Sequence, residues 1–361
     1  MNKNYYAIIM AGGIGSRFWP ISRTSHPKQF IDILGTGKTL IQNTYDRFLK
    51  ICPKENIYVV TNEIYTSLVK QQLPDMTDNQ ILTEPVMRNT APCVAYGSFK
   101  IESLNPDAAI VVAPSDHLIL DEAAFISTIE KSLEVATANN CLITLGIKPS
   151  RPDTGYGYIQ YTEQSLKNDF YKVKTFTEKP TLEIAKTFLQ SGDFLWNAGI
   201  FVWSARAIVN AFSNYLPDMY EIFAEARPVY NTTDEKAHIH TSYLRCTNIS
   251  IDYGIMEKAD NVYVLPSEFG WSDLGTWASI YELAEKDYVG NAVIPAEKVI
   301  MYDSSNCMVN VPGEKLVILQ GLHDYIVVEA NNTLLICPRD QEQNVKKVVA
   351  DVKQQFGTKY I

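Results

Sequence analysis

Short apolar runs alternate with longer amphipathic stretches over the first part of the chain. A strand covered on both faces is apolar at every position, so the runs predict buried strands and the stretches predict helices between them. The runs are 5–10, 57–61, 109–113 and 142–145, and the amphipathic stretches are 40–51, 91–104 and 123–139. This alternation predicts a doubly wound α/β domain with a mixed, mostly parallel sheet.

The pattern changes after residue 285. Short strands separated by turns are predicted at 299–302, 308–311, 316–319, 325–329 and 333–337, followed by an amphipathic helix at 345–356. We therefore predict two parts, an α/β domain at 1–285 and a small β-rich module at 286–361. The short, regularly spaced strands suggest a short β-helix with a closing helix.

Composition narrows the class of protein. Hydrophobic residues make up 46% and charged residues 20%, which is typical of a globular chain with a packed core. The net charge of −9 argues against a general nucleic-acid or anionic-membrane binder. Six cysteines are scattered without a CxxC pair, as expected for reduced thiols, and no apolar stretch approaches the roughly 18 residues of a membrane span. These features predict a cytoplasmic protein.

Unusual segments follow the predicted strands at 5–10 and 109–113 and a further strand-like run at 80–83; the segments are 11–28, 114–117 and 84–92. In a parallel α/β sheet, ligands bind beyond the carboxyl ends of the strands. Residues 1–31 also contain four cationic side chains and no acid, although the whole chain is acidic. The first segment is thus a candidate anion site.

Glycines in this first segment allow the backbone N–H groups from Ala11 to Ser16 to approach phosphate oxygens closely. The glycines are Gly12, Gly13 and Gly15. Arg17 adds a planar fork and Lys28 a point charge, which together suit a triphosphate. A dinucleotide fingerprint would need glycine at Phe18, and a Walker A loop ending at 37–39 would need glycine at Asp32, so both of these alternatives fail.

The string GGIGSRFWPISRTSHPKQF resembles the signature of nucleotidyltransferases that act on sugar 1-phosphates. Its FWP, SR and PKQF elements are similar to the guanylyltransferases of that family that use mannose 1-phosphate. The similarity continues at 84–92, 114–117, 176–180, 196–203 and 270–277. It implies the Rossmann-like fold of nucleotide-diphospho-sugar transferases. It also implies Mg²⁺-dependent transfer from GTP to mannose 1-phosphate, giving GDP-mannose and pyrophosphate.

The single acid of the 114–117 segment is a candidate metal ligand, since Mg²⁺ prefers a few carboxylates together with phosphate oxygens and water. The resemblance implies that this residue, Asp116, shares the metal with Asp273, which also faces the sugar phosphate. On the base side, the Glu84 carboxylate can accept both the N1–H and the amino group of guanine. Asn89 is expected near the base or ribose, although Asn89 or Thr90 alternatively caps the next helix.

Three further segments are predicted to hold the sugar phosphate. Gly157, after Tyr156, allows close approach of the backbone. Glu178 can accept hydrogen bonds from sugar hydroxyls and Lys179 can neutralise the phosphate, although such a pair is also common on solvated surfaces. Asn197 offers both a donor and an acceptor, and the resemblance places it against the sugar. The Ser-Ile-Asp-Tyr string at 250–253 also matches the family, and a structural role for it is equally compatible.

The predicted catalytic residues are Arg17, Lys28, Asp116 and Lys179. The predicted nucleotide-binding residues are Ala11, Gly12, Gly13, Gly15, Ser16, Glu84, Asn89, Thr90, Pro114 and Ser115. The predicted sugar-phosphate residues are Tyr156, Gly157, Glu178, Lys179, Asn197 and Asp273. Alanine at Lys28 or Asp116 is expected to abolish turnover and leave the fold intact.

Alternatives remain for the substrate and for the role. The same chemistry can act on another sugar 1-phosphate or nucleotide. A non-catalytic, nucleotide-sugar-binding regulatory subunit is also conceivable, but it should have lost some of the phosphate or metal groups, which are all present. No nucleic-acid or membrane partner is expected. The C-terminal module is a candidate surface for a homodimer or a cover for the site.

Overall fold

Two compact units make up the protein, and each is built from three separate segments of the chain. The computed structural model describes residues 1–167 and 169–361. The first unit comprises Met1–Gly12, Thr44–Ser115 and Ile119–Trp271, and the second comprises Gly13–Asn43, Asp116–Leu118 and Ser272–Ile361. The glycine-rich loop from Gly13 onward therefore belongs to the same unit as the C-terminal module.

Strands and helices alternate through most of the chain. The strands are β1 Tyr5–Met10, β2 Ile57–Asn62, β3 Ile81–Glu84, β4 Ala109–Pro114, β5 Leu118–Ile119, β6 Leu142–Ile147, β7 Tyr158–Ser165, β8 Tyr171–Thr177, β9 Phe194–Ser204, β10 Val262–Ser267, β11 Trp271–Ser272, β12 Ala292–Ile294, β13 Val299–Tyr302, β14 Met308–Asn310, β15 Val317–Gln320, β16 Tyr325–Ala330 and β17 Thr333–Pro338. The α-helices are α1 Leu40–Phe48, α2 Thr66–Gln72, α3 Thr90–Leu104, α4 Glu122–Asn139, α5 Leu182–Ser191, α6 Ala205–Tyr215, α7 Pro217–Ala224, α8 Glu235–Arg245, α9 Trp277–Leu283 and α10 Val345–Phe356.

A nine-stranded mixed sheet, within the described residues, organises the first unit, with strand order β3-β2-β1-β4-β9-β6-β10-β8-β7. The strands β3, β2, β1 and β4 are mutually parallel, with Ile8 opposite Tyr58 on one side and Val112 on the other. Strand β9 runs antiparallel to both β4 and β6, and β8 runs antiparallel to β10 and β7. The parallel part brings the carboxyl ends of β1, β3 and β4 to one edge.

The apolar runs form buried strands because both faces of the sheet are covered. Ile8, Val60 and Val112 are fully buried and pack with side chains of α3 and α6. The observed strands extend one or two residues beyond the predicted runs, since β2 ends at Asn62, β4 at Pro114 and β6 at Ile147.

The region 182–245, for which the sequence pattern predicted no helix, contains α5 to α8. These helices are short, and α6 meets α7 at a single shared residue, Leu216. Without a polar linker to separate them, the hydrophobic period does not show where one helix ends and the next begins.

In the second unit, the successive short strands from β12 to β16 alternate between two sheets, in which they pair in parallel. One sheet pairs β12, β14 and β16 in parallel with β17 at its edge, and the other pairs β13 with β15. Its core contains Phe18, Leu274, Trp277, Met308 and Ile326. The Phe18 and Trp277 rings meet edge to face with centroids 5.2 Å apart. This contact holds the glycine-rich loop and the loop around Asp273 in one unit.

No helix among the described residues combines the length and the apolar character that crossing a membrane requires. The cysteines are free thiols, and all except Cys337 are buried.

Candidate active site

The glycine-rich loop is shaped by its contacts with the segment that follows it. Gly15 has a φ of 68°, and a Cβ there would lie 2.5 Å from the Cβ of Lys28, so only glycine fits. The Ser22 hydroxyl donates to the carbonyl of Ile14 at 2.6 Å, and the Gln29 amide donates to the carbonyl of Gly13 at 2.9 Å. The loop carbonyls are therefore satisfied from within the protein.

Its donors remain available. Among residues 1–167 and 169–361, no acceptor receives a hydrogen bond from the backbone N–H groups of residues 13–17. The Arg17 Nε is likewise buried, and no acceptor in the described chain reaches it. A buried donor without a partner costs free energy unless a ligand satisfies it. The loop thus has the character of an anion site.

Lys28 joins three segments of the second unit. It is 3% exposed, and its Nζ lies 2.8 Å from the Asp116 Oδ2. The same Nζ donates to the carbonyls of Asp273 at 2.6 Å and Leu274 at 3.0 Å. All three ammonium protons therefore have protein acceptors. Lys28 lies in the predicted site, where it positions both predicted metal ligands; its contact with phosphate stays a prediction.

Both acids are held in defined positions. Burial raises the pKa of Asp116, but the charges of Lys28 and His117 oppose this and bring the net pKa below its usual value, so the carboxylate is ionised at neutral pH. The Asp273 Oδ1 accepts the Gly275 N–H at 2.8 Å, and a Cβ at Gly275 would lie 2.6 Å from the Asp273 Oδ2. Glycine there lets the loop close around the carboxylate.

These groups line one cleft with a volume of about 280 Å³. Its lining residues are Gly15, Ser16, Arg17, Phe18, Lys28, Asp116, His117, Asp273, Leu274, Gly275 and Lys346. Within the described part of the chain, no cluster of three or more His, Cys, Asp or Glu forms a closed metal cage. Two carboxylates that leave other positions to phosphate oxygens and water fit Mg²⁺ better than a transition metal.

The predicted guanine reader lies in the first unit, at the end of β3. The Tyr243 hydroxyl donates to the Glu84 Oε1 at 3.1 Å, and the Oε2 lies 3.3 Å from where a Cβ on Gly12 would be. Glu84 is 4% exposed. This burial raises its pKa to about 7, against the opposing effect of the Tyr243 hydrogen bond. Glu84 is thus poised to change charge near neutral pH.

Neighbouring backbone groups at this edge are tied into the sheet. The Ala11 N–H donates to the Val60 carbonyl, and the Thr61 hydroxyl donates to the Ala11 carbonyl. After β4, the Ser115 N–H donates to the Met10 carbonyl and the Ser115 carbonyl accepts from the Thr44 hydroxyl. Pro114 ends β4 itself. These residues lie at the predicted edge, and their contact with nucleotide stays a prediction.

Asn89 caps α3, as the alternative interpretation of the sequence proposed. Its φ is 67°, and its side chain accepts the Thr90 N–H at 2.9 Å. The Thr90 hydroxyl accepts the Ile251 N–H at 2.9 Å, which links this turn to the 250–253 segment. Both side chains therefore have structural partners, and a role in nucleotide binding remains a prediction for each.

The predicted sugar residues converge elsewhere in the first unit. The Asn197 N–H donates to the Gly157 carbonyl at 2.8 Å, and a Cβ on Gly157 would lie 2.6 Å from the Glu178 Oε2. Lys179 forms an ion pair with Glu178. The Tyr156 ring packs against Trp196, with centroids 4.9 Å apart. The structure thus brings these three segments together.

Asp252 also belongs to this group, although the sequence left its role open. Its Oδ1 accepts the Asn197 Nδ2 at 2.7 Å, and the Asn197 Oδ1 accepts the Thr144 hydroxyl at 3.1 Å. Burial, followed by the nearby charge of Glu178, raises the pKa of Asp252 to about 6. The hydrogen bonds fix the orientation of the Asn197 amide. The match of the 250–253 string to the family was the only signal for it in the sequence.

Known proteins match nearly the whole chain. The family described as nucleotidyl transferase matches residues 6–289, and the family described as mannose phosphate isomerase/GMP-like beta-helix domain matches residues 297–352. The mannose-1-phosphate guanylyltransferase of Salmonella montevideo is 37% identical over 96% of this chain and 73% of its own length. The alginate biosynthesis protein AlgA of Pseudomonas aeruginosa is 34% identical over 96% of this chain and 72% of its own.

A solved structure agrees with these relatives. The Thermus thermophilus protein described as mannose-1-phosphate geranyltransferase is 28% identical, with a TM-score of 0.86 over 97% of this chain and 99% of its own. The membership expected from the sequence motifs is confirmed, as is the β-rich module after the catalytic fold. The chain belongs to the nucleotidyl transferase family.

Proposed function

We propose that this enzyme transfers the guanylyl group of GTP to mannose 1-phosphate, giving GDP-mannose and pyrophosphate. The observation that carries the proposal is the cleft lined by the glycine-rich loop, Arg17, Asp116 and Asp273, called the phosphate cleft below, in which the Arg17 Nε is buried without an acceptor among the described residues. The relatives named for this activity support the choice of substrates. The proposed reaction needs no nucleophile–base pair, because the attacking phosphate oxygen is already ionised.

The chemistry follows from the ionisation of the substrates. A phosphate oxygen of the sugar 1-phosphate, already anionic at neutral pH, attacks the α-phosphorus of GTP and forms the new P–O bond. The bond from the α-phosphorus to the bridging oxygen breaks, and pyrophosphate leaves with that electron pair. Catalysis then rests on alignment and on stabilisation of developing charge. We assign the leaving pyrophosphate to Arg17 and the loop N–H groups, and the sugar phosphate to Lys179.

We propose Mg²⁺ as the cofactor, held by Asp116 and Asp273. Bound there, it would neutralise charge on the phosphates. Asp116 is suited to this role because its lowered pKa keeps it ionised, and Asp273 because the Gly275 N–H holds one oxygen in place. Lys28 contacts both segments that bear these carboxylates and holds them next to each other.

On the sugar side, we assign hydroxyl recognition to Glu178 and Asn197. The Asn197 amide is held by Asp252 and Thr144, so its orientation is set before substrate arrives. We further propose that residues 1–285 carry catalysis, that 286–361 supply a surface for a homodimer, and that the enzyme acts in the cytoplasm, where thiols such as those of this chain stay reduced.

GTP affinity is expected to depend on the charge of Glu84. Guanine donates two hydrogen bonds to an ionised carboxylate, so protonation of Glu84, whose pKa is about 7, weakens binding. We expect the Kd for GTP to rise about tenfold from about pH 8 to about pH 6. Calorimetric titration of GTP across this range measures it.

Glu84→Gln is the control for the titration of GTP itself, and it should show weak binding with a much flatter pH profile. An equally steep profile in this variant contradicts the role of Glu84.

Folding stability is expected to change with pH in the opposite direction from GTP affinity. The raised pKa of Glu84 means that the folded protein loses stability as pH rises from about 4 to about 7. The variant should therefore melt higher than the parent protein at about pH 8, and the difference should shrink toward about pH 5.

Pyrophosphate release tests the proposed function. Purified protein is assayed with Mg²⁺ and each of GTP, ATP, UTP and dTTP, with and without mannose, glucose or fucose 1-phosphate. Release that requires GTP and mannose 1-phosphate together supports the proposal. Release with another pair overturns the specificity and keeps the chemistry, whereas binding of nucleotide sugar without turnover of any pair supports a regulatory subunit.

A further inference from the structure

Lys346 lines the phosphate cleft together with the glycine-rich loop, although it lies near the end of the chain. It is the second residue of α10, directly after Val345. No sequence motif marks it, because the folding of the second unit alone brings it to Gly15, Arg17 and Asp116. It therefore has no assigned role in the reaction described above.

The start of α10 is held firmly against the loop that carries Arg17. Val345 is 1% exposed and packs with Trp19, two residues after Arg17. The Trp19 indole N–H donates to the Tyr360 carbonyl at 2.6 Å, just beyond the end of the same helix. Before the helix, the Glu342 Oε2 accepts the Ala278 N–H at 2.9 Å. These contacts fix where α10 begins, and therefore where the backbone of Lys346 lies.

The charges of the cleft leave a role for another cation. Lys28 is already paired with the Asp116 carboxylate and two carbonyls. Arg17 has a buried Nε for which the described residues supply no acceptor, so an anion is expected beside it. A lysine on a flexible stem, on the first turn of a helix where anions are stabilised, suits the most mobile and most charged part of a triphosphate.

We propose that Lys346 binds the terminal phosphates of the nucleoside triphosphate and, after transfer, the departing pyrophosphate. The inference rests on the proposed function. Lys346 shares its cleft with Gly15, Ser16 and Arg17, the loop assigned to the triphosphate, whereas the residue assigned to the sugar phosphate, Lys179, lies in the other unit. The C-terminal module thus contributes a substrate-binding residue to the reaction.

Lys346→Ala tests this against a matched control, Lys347→Ala. Lys347 is the next residue of the same helix, is exposed, and does not line the cleft. We expect Lys346→Ala to raise the KM for GTP, the KM for pyrophosphate in the reverse reaction and the Kd for inorganic pyrophosphate by about tenfold each. The KM for mannose 1-phosphate and the melting temperature should stay unchanged. Lys346→Arg should keep most of the affinity.

The outcomes separate this inference from the proposed function. Equal pyrophosphate Kd values in Lys346→Ala and Lys347→Ala overturn the inference, whatever the activity of the parent protein. If the parent protein makes no GDP-mannose but binds inorganic pyrophosphate, and Lys346→Ala binds it about tenfold more weakly, the proposed function fails and the phosphate contact stands. An effect of Lys346→Ala on the KM for mannose 1-phosphate alone also contradicts the assignment.

Discussion

Asp116→Asn is expected to lower kcat by at least about 10²-fold while the protein remains folded. The substitution keeps the shape of the side chain and removes the charge that is proposed to hold Mg²⁺ against the phosphates. The Lys28 Nζ, which lies 2.8 Å from the Asp116 Oδ2, can still donate to the amide oxygen. Steady-state kinetics over a range of Mg²⁺ concentrations measure the effect, and we expect a higher requirement for Mg²⁺ as well as a lower rate.

Asp75→Asn is the matched control, because Asp75 is an exposed acid of the first unit far along the chain from the cleft residues. It should have the kinetics of the parent protein. If Asp116→Asn retains full activity at the same Mg²⁺ concentration, the proposed metal site is wrong. If it loses activity together with its cooperative melting transition, the carboxylate is needed for folding and the kinetic result carries no weight for catalysis.

Lys28→Met is expected to lower both activity and stability. The sequence alone predicted that alanine at Lys28 would spare the fold, but the structure buries the ammonium between one carboxylate and two carbonyls. Methionine keeps the apolar stem and leaves these acceptors without their donor. We expect a loss of about 2 kcal/mol in the free energy of unfolding, less than for a fully buried pair because Asp116 is partly exposed. Denaturant unfolding measures it.

Lys236→Met, at an exposed position of α8, controls for the loss of a lysine charge and should leave stability unchanged. Adding Asp116→Asn to Lys28→Met should restore part of the lost stability, since the carboxylate that Lys28→Met leaves unpaired is then replaced by a neutral amide. Unchanged stability in Lys28→Met would show that the contacts of the Lys28 ammonium contribute nothing to the free energy of unfolding. Unchanged activity contradicts the positioning role of Lys28.

The glycine-rich loop could be predicted from the sequence because the residues that give it its chemistry are neighbours in the chain. Gly15 precedes Arg17 by two positions, and a backbone that approaches an anion needs glycine and a nearby cation in the same short segment. The parallel strands were equally recognisable, because burial on both faces makes β1, β2, β4 and β6 predominantly apolar.

Contacts between segments that are distant in sequence could not be predicted from the sequence. Strand direction has no signature in the hydrophobic period, so the antiparallel direction of β9 and its place between β4 and β6 were not predicted. The Lys28 contacts join it to Asp116, Asp273 and Leu274, which are far from it in sequence, so only tertiary folding brings them together. Asp252 and Lys346 come to their sites only through folding. The residue roles assigned to substrates stay predictions.

Product analysis with labelled mannose 1-phosphate tests the central claim most directly. The sugar phosphate carries ¹⁸O between C1 and phosphorus, and the reaction with GTP, Mg²⁺ and purified protein is followed by mass spectrometry. If the sugar phosphate oxygen attacks the α-phosphorus, GDP-mannose forms with the label retained and pyrophosphate contains none. GDP-mannose without the label, or no GDP-mannose from a folded protein that binds both substrates, contradicts guanylyl transfer in this cleft.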